Sequence, residues 1–398
     1  MILTAKQELG LKIAVARYKA HEAYTCIAGY AGTGKSTLIK FIVAALNIPN
    51  EEVAYIAYTG KATTVLASKG CKNAITAHKF LYDAYQDPIT AEVKFSPKAE
   101  LDGNYKLIVV DEVSMIPAGM WFRLLTHRIH VLACGDPGQL PPINPQENNH
   151  ILDNPHIFLD EVMRQAQDSE IIRLSMHIRN GGTLSNYSGT NEQVKVLPIN
   201  KVEPGMYKWA DQILCATNEF RNQINNYVRQ QKGFGPEPQQ GDKIISLRNQ
   251  WDFVSEEEKF PLINGTIGVI KTCSPPLSVF APRYISTAPI YYCYTDMIVD
   301  EKENYVKIPI DYVYLKSETP QLTPSMVSAL MKNKSFKHKP PFEFAYAYAI
   351  TTWKAQGSEW DKILGFEEDF PKAKIDHQKF IYTMATRAAQ KLVMIMKP

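Results

Sequence analysis

The chain has 398 residues, 44 Lys and Arg against 41 Asp and Glu, and a formal net charge of +3. With 45% hydrophobic and 21% charged residues, this composition excludes a wholly disordered chain, and the length allows two to four domains. No apolar run reaches the roughly 18 residues of a membrane span. A charge of +3 is too small to indicate nucleic-acid binding by itself, so local features must decide that question.

The cysteines and the N-terminus indicate a reduced intracellular protein. The 6 cysteines are scattered without a CxxC pair, which is typical of reduced thiols rather than of disulfides or a zinc site. The first residues mix charged and apolar side chains and lack the uninterrupted apolar core of a signal peptide.

The first third of the chain predicts alternating helices and strands. A helix capped by Thr4 precedes a strand over 23–29, and a second helix covers 36–47. Such alternation is typical of parallel sheets, and the further buried strands are predicted at 53–59, 106–111 and 128–136. The polar, turn-rich residues 83–104 predict an inserted hairpin.

A second unit of similar type begins near residue 170 and carries its own insertion. The pattern predicts a strand and helix over 212–231, a strand over 342–353, and a closing strand in KLVMIM. Short β-branched runs over 241–340 predict a small all-β insertion, in which Asn264-Gly265 is a strong hairpin signal.

The strongest chemical signal is the segment from Gly29 to Thr37, which fits G-x-x-x-x-G-K-[ST] between a strand and a helix. Glycines let backbone N–H groups approach phosphates, and the following helix N-terminus favours negative charge. Lys35 is expected to reach the β and γ phosphates, and the Ser36 hydroxyl to bind Mg²⁺. The alternative, a chance glycine-rich turn, is disfavoured by the flanking elements. The predicted nucleotide-binding residues of this loop are Gly32, Thr33, Gly34, Lys35, Ser36 and Thr37.

An acidic pair completes the predicted site. Asp111 ends the strand over 106–111 and is expected to hold Mg²⁺ through water, while Glu112 is placed to orient or deprotonate an attacking water. An Asp-Glu pair alone is more often a solvated loop, but together with the lysine loop it predicts an ATP or GTP hydrolase.

Further motifs follow in a fixed order along the chain: Thr59–Ala62, Thr76–Lys79, Gly135–Pro142, Thr352–Glu359 and Tyr382–Ala388. In this order and spacing the set resembles the superfamily 1 helicases, in particular the RecD/Dda-like branch (superfamily 1B) that moves 5′→3′. In size and layout the chain resembles the bacteriophage Dda type of DNA helicase.

The resemblance implies roles around ATP. Gln7 matches the glutamine that reads adenine, Gln139 the residue that senses the γ-phosphate, and Arg164 and Arg387 the two arginines that reach it. Arginine suits this role because its planar fork is always charged, although an isolated arginine is more often a surface ion-pair partner. Gln356, Gly357 and Glu359 match the motif that couples the second motor domain to both ligands.

The resemblance also implies a path for single-stranded DNA. Thr59, Lys61, His78 and Lys79 match contacts in the first motor domain, and Thr352 and Lys354 match contacts in the second. Such side chains hold phosphates without reading bases. Taken alone, His78 is more often an ordinary residue at a helix start. Trp353 stands where relatives carry histidine, and it either stacks on a base or packs in the core.

Two accessory parts are also implied. The inserted hairpin occupies the place of a pin that splits duplex DNA, with Phe95 between Pro88 and Pro97 as its wedge; the alternative is an ordinary surface loop. The β insertion resembles an SH3-like domain. Its segment 331–339 holds four lysines, which usually mark a solvated face but here are expected to line the DNA path.

The predicted fold class is therefore α/β, with two RecA-like P-loop motor domains and two insertions. The expected ranges are 1–82 and 105–170 for motor domain 1A, 83–104 for the hairpin, 171–240 and 341–398 for motor domain 2A, and 241–340 for the SH3-like domain. The resemblance implies an ATP- and Mg²⁺-dependent DNA helicase that moves 5′→3′ on single-stranded DNA and unwinds duplex DNA. It is expected to act as a monomer on single-stranded and forked DNA, away from membranes, in the cytoplasm of a bacterial or phage-infected cell. Single-strand-binding or replication proteins are further candidate partners. An RNA or RNA–DNA helicase and a catalytically idle scaffold remain alternatives, whereas clamp-loader and ABC-type ATPases lack GDPGQLPP.

Overall fold

The structure is a computed structural model. It describes residues 3–397 except 69, 72, 87–92, 143–146, 164–167, 190–191, 258–259, 282–285, 324, 328–329, 331–339 and 372. The side chains of 61, 64, 68, 84–86, 93–95, 251–252 and 374–375 also lie outside the description. The chain forms two compact units: Met1–Leu81, Lys98–Arg221 and Ile350–Pro398 make the first, Tyr82–Pro97 and Asn222–Ala349 the second.

The first unit begins with a parallel sheet in the order β3-β2-β6-β7-β1-β8. Its strands are β1 (Tyr24–Gly29), β2 (Val53–Ala57), β3 (Ala74–Thr76), β6 (Leu107–Val110), β7 (His130–Gly135) and β8 (Ile157–Leu159). The central strands are continuous buried apolar runs, as parallel strands covered on both faces must be. Ala28 pairs with Gly135, and Val110 with Ala133, so the carboxyl ends of β1, β7 and β6 lie almost level.

Helices surround this sheet: α1 (Ala5–Lys19), α2 (Lys35–Leu46), α3 (Gly60–Ser68), α4 (Ala77–Leu81) and α5 (Ala118–Thr126). The predicted cap of α1 is confirmed, because Thr4 and Gln7 form a reciprocal capping box. Apolar side chains of α1 and α2, including Ala14, Leu38 and Ile42, pack against Ile27 and Leu132 of the sheet. This packing fixes the position of the loop between β1 and α2.

A second parallel sheet in the first unit has the order β19-β10-β20-β21-β9. Its strands are β9 (Val194–Pro198), β10 (Gln212–Cys215), β19 (Ala349–Thr351), β20 (Trp360–Phe366) and β21 (Ala388–Met396). Its helices are α6 (Glu170–Arg179), α7 (Pro204–Trp209), α8 (Asn218–Gln231), α10 (Thr352–Ala355) and α11 (Lys374–Ala385), and α8 continues into the second unit. The two sheets confirm the expected pair of α/β halves.

The second unit is mainly antiparallel. Its main sheet has the order β15-β16-β14-β11-β18, with β17 paired to β16, and two strand pairs, β12 with β13 and β4 with β5, stand apart from it. The strands are β4 (Tyr82–Gln86), β5 (Val93–Pro97), β11 (Lys243–Ser246), β12 (Gln250–Val254), β13 (Pro261–Leu262), β14 (Ile267–Cys273), β15 (Leu277–Phe280), β16 (Pro289–Val299), β17 (Glu303–Asp311) and β18 (Phe344–Tyr346), followed by helix α9 (Tyr312–Ser317) after β17. The insertion is mainly β, but the prediction that it is entirely β is wrong, because helix α9 lies within it; its SH3-like assignment stays a prediction.

Three expectations about local structure need correction. The strand expected over 342–353 is two strands, because β18 pairs with β11 of the second unit whereas β19 joins the second parallel sheet. Asn264-Gly265 does form a tight turn, but β13 pairs with β12 and β14 with β11, so no hairpin spans it. The inserted hairpin ends at Pro97 rather than at 104, because the Lys98 amide donates to Leu81 O at 2.9 Å and closes its base.

No helix within the described ranges is long and apolar enough to cross a membrane.

Candidate active site

The candidate site lies where three neighbouring strands of the first sheet end. Strands β6, β7 and β1 are adjacent and parallel, so the segments that follow them meet at one edge of the sheet. These segments are Asp111-Glu112 after β6, Asp136–Gln139 after β7, and Gly29–Thr37 after β1. The topology therefore brings together the phosphate loop and the acidic pair that the sequence predicts.

The phosphate loop has the backbone of a phosphate cradle. Gly32 and Gly34 have φ of +76° and +77°, which side chains rarely allow, and a Cβ on Gly34 would lie 2.5 Å from Gln7 Nε2. Helix α2 starts at Lys35, so its free N–H groups face the loop, and Ser36 and Thr37 occupy its first turn. The Lys35 ammonium donates to Gly29 O at 2.8 Å and Tyr30 O at 3.0 Å.

Gln7 is buried against this loop. Its Oε1 accepts from the Thr4 amide at 3.0 Å, and its Nε2 donates to Thr33 O at 3.3 Å. Thr33 is also buried, and its hydroxyl donates to Tyr30 O at 2.8 Å. The side chain that the resemblance assigns to adenine thus holds the loop and the start of α1 in this conformation.

Glu112 carries the most unusual environment in the site. Its φ of +51° places a non-glycine residue in the left-handed region. Its Oε2 is buried without a hydrogen-bond partner among the described residues. Burial and the neighbouring Asp111 raise the pKa of Glu112, whereas the positive charges of Arg387 and Lys35 lower it, and the net direction is upward. A strained, buried carboxylate beside two cations is typical of a functional site.

Gln139 shares this property. Its side-chain oxygen is also buried and has no partner within the described part of the chain. Because buried polar atoms are nearly always hydrogen-bonded, two such oxygens beside one phosphate loop indicate a site arranged for a ligand and its water. Asp111 and Ser36 supply the hard oxygen ligands that Mg²⁺ prefers, so the residues present fit a Mg²⁺-nucleotide. No cluster of three or more His, Cys, Asp or Glu that could hold a metal occurs among the described residues.

The second α/β half contributes Arg387. Its guanidinium is 6% exposed and donates to Thr383 O at 3.2 Å, Ser358 O at 3.3 Å and Thr386 Oγ1 at 3.2 Å. None of these three acceptors is charged. The positive charge of Arg387 lowers the pKa of Glu112, against the larger upward effect of burial.

Several contacts join the second half to the first around this site. Gln356 Nε2 donates to Leu140 O at 2.8 Å, and Thr383 Oγ1 accepts from the Leu140 amide at 2.9 Å. The Tyr382 hydroxyl donates to Asp136 Oδ2 at 2.7 Å and accepts from the Ala31 amide at 2.9 Å.

Sequence reasoning missed two of the side chains at this junction. Tyr382 stands in a helical apolar run, and only its place five residues before Arg387 signalled a role. Arg179 ends helix α6, and its guanidinium lies 3.7 Å from the centre of the Tyr30 ring in the phosphate loop. A cation over an aromatic face stabilises the contact, and nothing in the local sequence of Arg179 indicated it.

The residues assigned to DNA in the first half lie at two helix starts. The Thr59 hydroxyl accepts from the Ala62 amide at 3.2 Å and so caps helix α3. His78 is half-buried in helix α4 beside Tyr58, and burial lowers its pKa, which favours the neutral imidazole. Lys79 is exposed in the same helix, and the Lys61 side chain lies outside the described residues.

The matching residues of the second half lie at the end of β19. Thr352 is fully buried and its hydroxyl donates to Cys215 O at 3.1 Å, so in this conformation it does not face solvent. The Trp353 ring packs against Phe370 and Phe380, with centroids 5.9 and 6.2 Å away. Of its two possible roles, the structure thus favours packing. Lys354 is half-buried.

Gly357 and Glu359 follow in the same motif. A Cβ on Gly357, whose φ is +72°, would lie 3.0 Å from Ala62 Cβ and 3.3 Å from Thr59 Oγ1, so this segment closely approaches α3. Glu359 is exposed. Besides the Lys61 side chain, three predicted features lie outside the described residues: Arg164, the Phe95 side chain and the lysine-rich segment 331–339.

Two sequence families match the chain. The family described as the AAA domain matches residues 8–197, and the family described as the UvrD-like helicase C-terminal domain matches residues 346–395. The first match contains the phosphate loop and the acidic pair, and the second contains Arg387 and Tyr382.

Two relatives with similar sequences are helicases by name. The chain is 24% identical over 392 residues to the ATP-dependent RecD2 DNA helicase of Deinococcus radiodurans, covering 91% of this chain and 45% of that protein. It is 31% identical over 194 residues to the ATP-dependent DNA helicase dda of Enterobacteria phage T4, covering 45% of this chain and 43% of that protein. The chain therefore spans less than half the length of these relatives.

Solved structures share the fold. Bacteroides Pif1 bound to single-stranded DNA matches with a TM-score of 0.53 and 16% identity, over 99% of this chain and 92% of that one. Pif1 helicase from Candida albicans matches with a TM-score of 0.51 and 17% identity, over 99% and 94%.

Fold and site together define a P-loop protein with two RecA-like halves. The order of its motifs and its relatives refine this class. The chain is similar in sequence to the RecD2 and Dda helicases and in fold to Pif1, which together represent superfamily 1B, and its likeness to Dda itself is moderate.

Proposed function

We propose that the chain hydrolyses ATP to move 5′→3′ along single-stranded DNA and to unwind duplex DNA. The observation that carries the proposal is the set of hydrogen bonds that join the Tyr382–Arg387 segment of one α/β half to the phosphate loop and the segment after β7 of the other. In that first half, Glu112 and Gln139 each have a buried oxygen without a partner among the described residues. The names of the relatives support the DNA substrate, and the family supports the polarity.

The residues divide the work of hydrolysis. Backbone N–H groups of the loop and Lys35 bind the phosphates, and the free Glu112 Oε2 orients the attacking water and accepts its proton. Arg387 and Arg164 supply charge to the transferring phosphoryl group when the two halves close. Gln139 senses the γ-phosphate, Gln7 reads adenine, and Gly357 and Glu359 link the second half to the nucleotide.

Mg²⁺ would take ligands from the Ser36 hydroxyl and, through water, from Asp111, and would neutralise charge on the β and γ phosphates. These two residues follow strands β1 and β6, which lie on either side of β7 in the sheet.

DNA crosses the two halves in the proposed complex. Phosphates are bound in one half by Thr59, Lys61, His78 and Lys79, and in the other by Thr352 and Lys354. Trp353 stays packed against Phe370 and Phe380 and supports the segment that carries Thr352 and Lys354. The buried Thr352 hydroxyl must leave Cys215 O to take part. A monomer suffices for this arrangement, in the cytoplasm, with single-strand-binding or replication proteins as further partners.

Strand displacement tests activity and polarity together. Duplexes with a 5′ or a 3′ single-stranded tail are incubated with the protein and Mg²⁺·ATP. We expect displacement from the 5′-tailed duplex and little from the 3′-tailed one. Displacement from neither would refute the helicase, and displacement from an RNA-tailed duplex alone would favour an RNA helicase.

Lys35→Ala tests the nucleotide site. Because Lys35 binds phosphates and the proposed DNA contacts lie elsewhere, turnover should fall by on the order of 10²-fold or more, with DNA binding largely intact. Steady-state ATPase assays and fluorescence anisotropy with labelled DNA measure the two properties. Near-normal DNA-stimulated turnover would overturn the assignment of the site.

Phe95→Ala tests the hairpin as a pin. Opening DNA breaks stacking of about 1.4 kcal/mol per base-pair step, so an aromatic side chain at the fork helps to hold the strands apart. We expect slower unwinding, with DNA-stimulated ATPase and single-strand translocation retained. Unchanged unwinding would assign Phe95 to packing, and equal loss of ATPase and unwinding would assign the hairpin to support of the motor.

A further inference from the structure

One buried phenol connects three segments that the proposed reaction uses. The Tyr382 hydroxyl donates to Asp136 Oδ2 at 2.7 Å and accepts from the Ala31 amide at 2.9 Å. Tyr382 is 2% exposed and Asp136 1% exposed, so water does not compete for the hydrogen bond between them. The hydroxyl therefore joins helix α11 to the phosphate loop and to the segment after β7.

Asp136 passes this contact on to Gln139. Its Oδ1 accepts from the Gly138 amide at 2.8 Å, and its backbone oxygen accepts from the Gln139 amide at 3.2 Å. These two bonds shape the turn that presents the Gln139 side chain, whose oxygen has no partner among the described residues.

The residue next to Tyr382 holds the same turn from its other end. Thr383 Oγ1 accepts from the Leu140 amide at 2.9 Å, and Thr383 O accepts from Arg387 Nε at 3.2 Å. Two consecutive side chains of α11 thus bracket Gln139, and the same stretch of helix anchors Arg387.

We propose that Tyr382 is a positioning residue for ATP hydrolysis. Its hydroxyl fixes the positions of the phosphate loop, the Gln139 turn and the Arg387 segment relative to one another. This inference rests on the proposed ATPase function. Neither Lys35, whose ammonium donates to Gly29 O, nor the first turn of α2 is hydrogen-bonded to the phenol among the described contacts. Loss of the hydroxyl should therefore impair the transition state, where Gln139 and Arg387 act, more than the binding of ATP.

The test is Tyr382→Phe, which removes one oxygen and keeps the ring. We expect kcat to fall about tenfold, as misalignment of catalytic groups predicts, while KM for ATP changes less than about threefold. Tyr348→Phe is the matched control, because the Tyr348 hydroxyl also donates to a buried carboxylate, Asp242 Oδ1 at 3.0 Å, and both residues belong to the second unit. The control should leave both constants unchanged.

Asp136→Asn provides a second, independent variant. If Tyr382 acts through Asp136, this variant shows the same loss of kcat, and the double variant is no worse than the more severe single one. Unchanged kcat in Tyr382→Phe, a defect in KM alone, or multiplicative losses in the double variant would overturn the proposal. If Tyr382→Phe does not fold, unchanged kcat in Asp136→Asn overturns it alone.

Different results refute the proposed function and the positioning role of Tyr382. A wild-type protein without ATP turnover, or with turnover that survives Lys35→Ala, refutes the proposed function. Turnover that needs Lys35 but ignores Tyr382 refutes only the positioning role.

Discussion

Two buried polar clusters in this chain differ in what they leave unpaired. In the second unit, Asp242 Oδ1 accepts from Arg229 Nε at 2.8 Å and from the Tyr348 hydroxyl, and Oδ2 accepts from Arg229 Nη2 and the Gln239 amide, both at 3.0 Å. In the first unit, Glu112 Oε2 has no partner among the described residues. One carboxylate is saturated by the protein, and the other keeps an oxygen free.

The difference separates stability from function. A buried charge with every lone pair satisfied contributes to a defined structure, because removing one partner strands the other. A buried oxygen without a partner lowers stability unless a ligand or water uses it, so it persists where chemistry requires it. Substitutions around Asp242 should therefore change the free energy of unfolding, and substitutions of Glu112 should change ATP turnover.

Asp242→Ala should have the largest effect on stability. It leaves the Arg229 guanidinium buried without its carboxylate, which costs about 3–5 kcal/mol in the free energy of unfolding. Urea unfolding followed by circular dichroism measures the loss. The double variant Arg229→Met with Asp242→Leu should recover most of it, and a single variant as stable as the wild type would contradict a structural role for the pair.

Glu112→Gln should show the opposite pattern. The amide keeps the shape but cannot take a proton from water, so turnover should fall by on the order of 10²-fold or more while Mg²⁺·ATP still binds. Because burial already disfavours the Glu112 charge, the free energy of unfolding should stay equal or rise. Lost nucleotide affinity with unchanged turnover would make Glu112 a ligand rather than the residue that orients water.

Arg387→Ala should have a smaller effect than the two preceding variants: it should shift the pH dependence of kcat, which would show that the two halves are coupled. The Arg387 charge lowers the pKa of Glu112, so its removal raises that pKa. Glu112 must be ionised to accept a proton, and the acid limb of kcat therefore moves to higher pH, in addition to a loss of kcat greater than the loss of ATP affinity. The control is Arg173→Ala, whose guanidinium pairs with Glu170. An acid limb that stays in place would show that Arg387 does not act on Glu112.

The sequence was most informative where a motif and a strand end coincide. The phosphate loop and Asp111-Glu112 follow buried strands, and parallel pairing then brings them together without further information. The division of 342–353 into two strands was not predictable, because both halves are equally apolar and only the pairing partners differ. Tyr382 was hidden for a related reason, since a tyrosine in a helical apolar run is usually a core residue, and only the fold shows what its hydroxyl meets.

Gln7 links the conformation of the phosphate loop to the first turn of helix α1. Its side chain holds Thr33 O and also accepts from the Thr4 amide, so one residue serves both the loop and the first turn of helix α1. A rearrangement of the loop that pulls on Gln7 opens the cap, and the amide protons of that turn then exchange faster with solvent. Hydrogen exchange at residues 4–8 should therefore report the state of the phosphate loop without an added label.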